Sequence, residues 1–195
     1  KIKPRHGSIY LLLNIITSAG LFSGFYAIVA AMNGRFEAAA VAIFVAMVAD
    51  GIDGRVARLT NTQSEFGVQY DSLSDMVCFG LAPALVMYEW ALQSMISVGW
   101  AKLGWLAAFI YTASAALRLA RFNSQVATAE KSHFRGLPSP SAAAVLAGLV
   151  WVGTDLGVDG ETLVYPAFVL TISMGLLMVS NIRYYSFKEV NFRNR

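Results

Sequence analysis

The segment that decides the reading is "VADGIDGRVARLTNTQSEFGVQYDSLSD", residues 48–75, which sets Asp50, Asp53, Asp71 and Asp75 among long apolar runs. An Asp at the centre of a membrane span costs roughly 2.5–3.5 kcal/mol on insertion scales, so four unpaired ones would be prohibitive for a helical hairpin. With about 3.6 residues per helical turn, Asp50 and Asp53 lie about 60° apart around one axis, and Asp71 and Asp75 about 40° apart around the next. Each pair faces one way, and cations or water must meet it. Thr62 and Glu65 form a T-x-x-E capping box that starts the second helix at Phe66, after a short turn around residues 59–61.

The surrounding sequence makes this hairpin part of a membrane protein. The chain has 195 residues, of which 56% are hydrophobic and 14% charged, too apolar for an ordinary soluble domain. Apolar runs at residues 10–32, 36–58, 66–90, 103–119, 139–154 and 163–182 approach or exceed the ~20 residues that cross a hydrocarbon core of about 30 Å. The expected fold is an all-α integral membrane protein with six transmembrane helices, one domain over residues 1–195. The run at 139–154 is short and rich in Ala and Gly, as suits a helix packed inside a bundle.

Charge sets the orientation. Alternating sides from the N-terminus places 13 of the 15 Lys and Arg residues on one face, leaving Arg35 and Lys102 on the other. Both termini are therefore expected in the cytoplasm. The net charge of +3 reflects this topology, with attraction to anionic head groups, rather than nucleic-acid binding. The single cysteine, Cys78, excludes an internal disulfide framework and reads as a small buried or lipid-facing side chain. His6 and His133 lack a paired metal-ligand spacing and read as solvated, while Tyr88, Trp90, Trp100 and Trp105 suit the outer interface.

Four carboxylates form an all-oxygen donor set, which suits a hard divalent cation. Mg²⁺ commonly binds through a few carboxylates together with substrate phosphate oxygens. Gly51 and Gly54 each cost about 1 kcal/mol relative to Ala within a helix, explicable if a ligand or a neighbouring backbone approaches closely. Gly67 can serve the same purpose on the facing helix. Arg55 and Arg58 neutralise part of the acidic charge, and Arg58 can also attract an anion.

These residues fit the pattern D-x2-D-G-x2-A-R-x8-G-x3-D-x3-D without departure, through Asp50, Asp53, Gly54, Ala57, Arg58, Gly67, Asp71 and Asp75. The chain thereby resembles the CDP-alcohol phosphotransferase family. That resemblance implies six membrane helices, commonly a homodimer, in a prokaryotic inner or plasma membrane with the site opening to the cytoplasm. It implies transfer of a substituted phosphate from a CDP-linked donor to an alcohol, with release of CMP. Carried over, Asp50, Asp53, Asp71 and Asp75 hold Mg²⁺ or Mn²⁺, two ions per site. Asp75 is also the general base, and Asp53, Gly54, Ala57, Arg58 and Gly67 line the CDP site.

Two later stretches, "ALRLARFNSQ" at 116–125 and "FRGLPSPSAAA" at 134–144, look like the phosphatidylserine synthase branch of that family. The branch implies CDP-diacylglycerol and L-serine as substrates, among membrane lipids. Serine carries a carboxylate that an Arg fork binds through paired hydrogen bonds, so Arg118, Arg121 and Arg135 are candidates, with Asn123 and Ser139 for other polar groups. Other acceptors, glycerol phosphate or inositol, or an ether-lipid donor, belong to the same family. A cation transporter with the aspartates as its permeation site is the competing class, and it lacks a second acidic cluster across the other leaflet.

Overall fold

The computed structural model describes residues 7–60, 64–96, 99–127 and 136–182, within which the Arg58 side chain is not described. Every regular element among the described residues is helical: α1 (Gly7–Met32), α2 (Phe36–Thr60), α3 (Glu65–Asp75), a π-helical stretch (Met76–Leu81), α4 (Ala82–Trp90), a 3₁₀ turn (Leu92–Ile96), α5 (Ala101–Ala127), α6 (Ser139–Asp155) and α7 (Val164–Val179). Asp75 and Met76 keep right-handed helical dihedrals where α3 meets the π stretch, as do Leu81 and Ala82 where it meets α4. The three pieces form one rod, so the described residues build a bundle of six rods. Two stretches, Tyr10–Met32 and Lys102–Ser124, are long and apolar enough to cross a bilayer. At about 1.5 Å per residue, α1 with its 26 residues reaches about 39 Å, whereas α6 and α7, with 17 and 16, reach about 26 and 24 Å.

Small residues bring the rods together. Ala27, Ala30 and Ala31 of α1 and Ala39, Ala40, Ile43 and Ala46 of α2 are buried where these two helices pack along each other. Between apolar helices in lipid, such close backbone approach supplies the packing energy that water exclusion supplies elsewhere. The α1–α2 turn closes through Gly34 at φ +71°, with Arg35 N–H donating to Ala30 O and Gly34 N–H to Ala31 O, both at 2.9 Å. This paired bonding satisfies the last carbonyls of α1, and the left-handed φ explains the glycine. Phe22, Phe25, Val45, Phe109, Leu117 and Val169 point outward instead, as lipid-facing residues do.

The π-helical stretch follows directly from Pro83. A proline has no N–H to give the carbonyl four or five residues back, and its ring crowds the carbonyl at i−4, which here is Phe79. The helix widens before it, with Ala82 N–H bonding Val77 O five residues back. The Tyr111 hydroxyl of α5, fully buried, donates to Phe79 O at 3.0 Å, and Thr112 Oγ1 reaches Gly80 O at 3.4 Å. Thr112 lies nearer to Ala108 O of its own helix, at 3.0 Å, so it is Tyr111 that supplies from a neighbouring helix the donor Pro83 lacks.

Two local expectations change. Thr62 lies outside the described residues, and the cap of α3 is Ser64, whose side chain accepts from Gly67 N–H at 2.9 Å. Trp90 is buried rather than interfacial, because Gly153 of α6 leaves room for its ring; a Cβ there would meet Trp90 Cζ2 at 2.5 Å. Trp100 and Trp105 are exposed. At α6, Pro138 is the N-cap and Pro140 sits within the first turn, where a missing N–H costs nothing.

Candidate active site

Four helical turns converge on one small cavity. Asp50 and Asp53 come from the C-terminal half of α2, Asp71 and Asp75 from α3, and the walls include Thr17 and Gly20 of α1. Each of Asp50, Asp53 and Asp71 offers a carboxylate oxygen, and these atoms lie within 4.8 Å of one another. Asp75 lines the same cavity without joining that tight trio. Such a three-carboxylate set matches the all-oxygen preference of a hard divalent cation, and burial of Asp53 to 5% exposure leaves little water to offset the repulsion.

The Asp53 carboxylate is held by a hydroxyl from outside the acidic motif. Thr17 Oγ1 donates to Asp53 Oδ2 at 2.8 Å, and Ser74 Oγ donates to the Thr17 carbonyl at 3.4 Å. Cys78 is buried, with Sγ 3.2 Å from Gly20 O, and Gly24 makes room for it; a Cβ on Gly24 would stand 2.7 Å from that sulfur. Ser18 and Tyr70 join their hydroxyls at 2.7 Å, and Tyr70 stacks with Phe66 at 6.0 Å between centroids. Thr17 and Ser74 are the site residues that sequence reasoning missed. A hydroxyl in an apolar helix ordinarily satisfies itself on the carbonyl four residues back, so nothing in the sequence marks these two.

The glycines separate by role. Gly67 N–H serves the cap, and a Cβ there would meet Ser64 Oγ at 3.0 Å. Gly51 is exposed, and among the described residues nothing lies within 4 Å of an added Cβ there. Gly54 and Ala57 are half-buried on α2, and Arg55 is exposed. Arg58 belongs to the last turns of α2, and its side chain lies outside the described residues.

The second group of candidates divides more sharply. Arg118 is half-buried on α5 and close enough to Asp75 for their charges to interact. Its Nη1 donates to the fully buried Ser139 Oγ at 3.0 Å, while its buried Nε has no hydrogen-bond partner among the described residues. Arg121 is exposed, reaching Val179 O and Asn181 Oδ1 at 3.5 Å, and so points toward the end of α7. Asn123 Nδ2 donates to Ser72 Oγ at 3.1 Å, tying α5 to the turn of α3 that carries both Asp71 and Asp75. Arg135 and His133 lie outside the described residues, as does His6.

An acid-lined cavity inside a helical bundle, with a guanidinium whose charge reaches one of the acids, is the frame of an enzyme that handles phosphate. The family model described as CDP-alcohol phosphatidyltransferase matches residues 10–183, and the chain belongs to that family. Among curated relatives, the CDP-diacylglycerol–serine O-phosphatidyltransferase of Helicobacter pylori (strain ATCC 700392 / 26695) is 36% identical over 186 residues, covering 94% of this chain and 76% of that protein. The protein of the same name from Mycobacterium bovis is 35% identical over 189 residues, covering 93% of this chain and 64% of its own length. That of Methanocaldococcus jannaschii is 35% identical over 142 residues, covering 73% and 61%.

Proposed function

We propose that this chain is a CDP-diacylglycerol–serine O-phosphatidyltransferase of six membrane spans, working as a homodimer in a prokaryotic inner or plasma membrane with its site open to the cytoplasm. The observation that carries the chemistry is the convergence of Asp50, Asp53 and Asp71 within 4.8 Å, beside Asp75 and Arg118. The names of the relatives support serine as acceptor and CDP-diacylglycerol as donor.

In this reading Asp50, Asp53, Asp71 and Asp75 hold two divalent cations, Mg²⁺ or Mn²⁺. Bound there, the cations supply positive charge to the donor's diphosphate and to the departing CMP. Gly54, Ala57, Arg58 and Gly67 line the CDP site with Asp53. Asp75 accepts the proton of the serine hydroxyl as its oxygen bonds to the phosphatidyl phosphorus and the bond to CMP breaks. Arg118 is the favoured partner of the serine carboxylate: its charge interacts with Asp75, and Ser139 already holds one arm of its fork. Arg121 and Asn123 instead brace the helices around it.

The test is CMP release by the purified protein in detergent, with CDP-diacylglycerol and Mg²⁺ or Mn²⁺. L-Serine, glycerol 3-phosphate or inositol is added separately, alongside an Asp75→Asn control. Serine-dependent release that disappears in the control is the expected result. Release with another alcohol but not serine would reject the acceptor assignment.

A further inference from the structure

Several hydroxyls on these helices keep to their own helix: Thr60, Thr154 and Thr171 each donate to the carbonyl four residues back. Thr17 departs from that habit. Its Oγ1 stands 3.1 Å from Leu13 O and 2.8 Å from Asp53 Oδ2, and a hydroxyl has one proton for the two acceptors. The carboxylate is both nearer and charged, so it takes the proton; hydrogen bonds to ionised acceptors are roughly twice as strong as neutral ones. Both groups are buried, Thr17 at 8% and Asp53 at 5% exposure, so water does not compete for this contact.

The same turn of α1 is gripped from a second side, because Ser74, lying between Asp71 and Asp75, donates to the Thr17 carbonyl. One residue of α1 therefore contacts both acid-bearing helices. We propose that Thr17 is a positioning residue for the cation site: its hydroxyl fixes the rotation of the Asp53 carboxylate so that Asp50, Asp53 and Asp71 present their oxygens together. The inference rests on the reading of these acids as cation ligands and adds a residue outside the signature. A partner that orients a ligating carboxylate changes metal affinity by about 10–100-fold when removed.

The experiment titrates the purified full-length protein in detergent with Mn²⁺ alone and follows free Mn²⁺ by electron paramagnetic resonance, with no donor or acceptor present. Thr17→Val, which keeps the shape and loses the hydroxyl, is expected to weaken Mn²⁺ binding by about 10–100-fold. Thr17→Ser is expected to bind within about threefold of the parent, since the donor is kept. In an Asp53→Asn background Thr17→Val should add no further loss, which separates positioning from a general packing defect. Equal affinity for Thr17→Val and the parent would overturn the proposal while leaving the cation site intact, and so would an equal loss for Val and Ser. A parent that binds no Mn²⁺ would overturn both this proposal and the cation reading beneath it.

Discussion

Replacing Tyr111 by Phe removes one oxygen and tests why the third rod widens. The Tyr111 hydroxyl serves Phe79 O, the carbonyl that an N–H at position 83 would serve in an unbroken α-helix, and Pro83 has none to give. Both Tyr111 and Phe79 are essentially inaccessible, so no water replaces the lost donor. An unsatisfied buried carbonyl costs about 1–3 kcal/mol. For a chain of this size each kcal/mol lowers Tm by about 2–4 °C, so Tyr111→Phe is expected to melt about 2–12 °C below the parent in the same detergent. The decisive arm is Pro83→Ala, which restores an N–H four residues after Phe79. In that background Tyr111→Phe should cost under about 0.5 kcal/mol, because the backbone now supplies the donor. The assay is intrinsic-fluorescence melting of the four proteins. Equal losses in both backgrounds would refute the account of the π-helical stretch as a proline-driven widening satisfied from α5.

Two other substitutions probe the approach to the site. Gly136 has φ +89°, and its N–H donates to Ile182 O at 3.0 Å; an added Cβ would collide with Met178 O and Ser180 O. Gly136→Ala is therefore expected to cost about 1–3 kcal/mol, read as lower Tm and reduced monodisperse yield, and an unchanged Tm would contradict the close docking of this loop on α7. Ser139→Ala removes the hydroxyl that holds Arg118 Nη1 and should raise the KM for serine about 3–10-fold while kcat stays within about twofold. A loss confined to kcat would move Arg118 from acceptor binding to the reacting phosphate.

How much of this was legible beforehand depended on whether a feature repeats along the chain or arises between its parts. The helical rods follow from long apolar runs, and the pairing of Asp50 with Asp53 and of Asp71 with Asp75 follows from 3.6-residue geometry. The π-helical stretch has a local cause in Pro83, yet its stability depends on Tyr111 of another helix, which no local pattern reveals. Trp90 reads as an interfacial aromatic because its residue type and place near a span's end suit the aromatic belt, and neither reports the gap that Gly153 opens opposite it.

The same distinction explains the division among the polar candidates. Arg118, Arg121 and Asn123 share one short stretch of α5; at about 100° per residue Asn123 leaves the helix on another side from either arginine, while the two arginines, about 60° apart, part through the different partners their long side chains reach. Arg118 turns inward to Ser139 and the acids, Arg121 toward the end of α7, and Asn123 toward Ser72. A sequence motif names the residue types that the chemistry requires, whereas the side chain's heading relative to the bundle decides which of them can meet a substrate. For a bundle whose outer surface is as apolar as its core, that heading cannot be read from hydrophobicity alone; it emerges only when a buried hydroxyl such as Ser139 or Thr17 stands opposite.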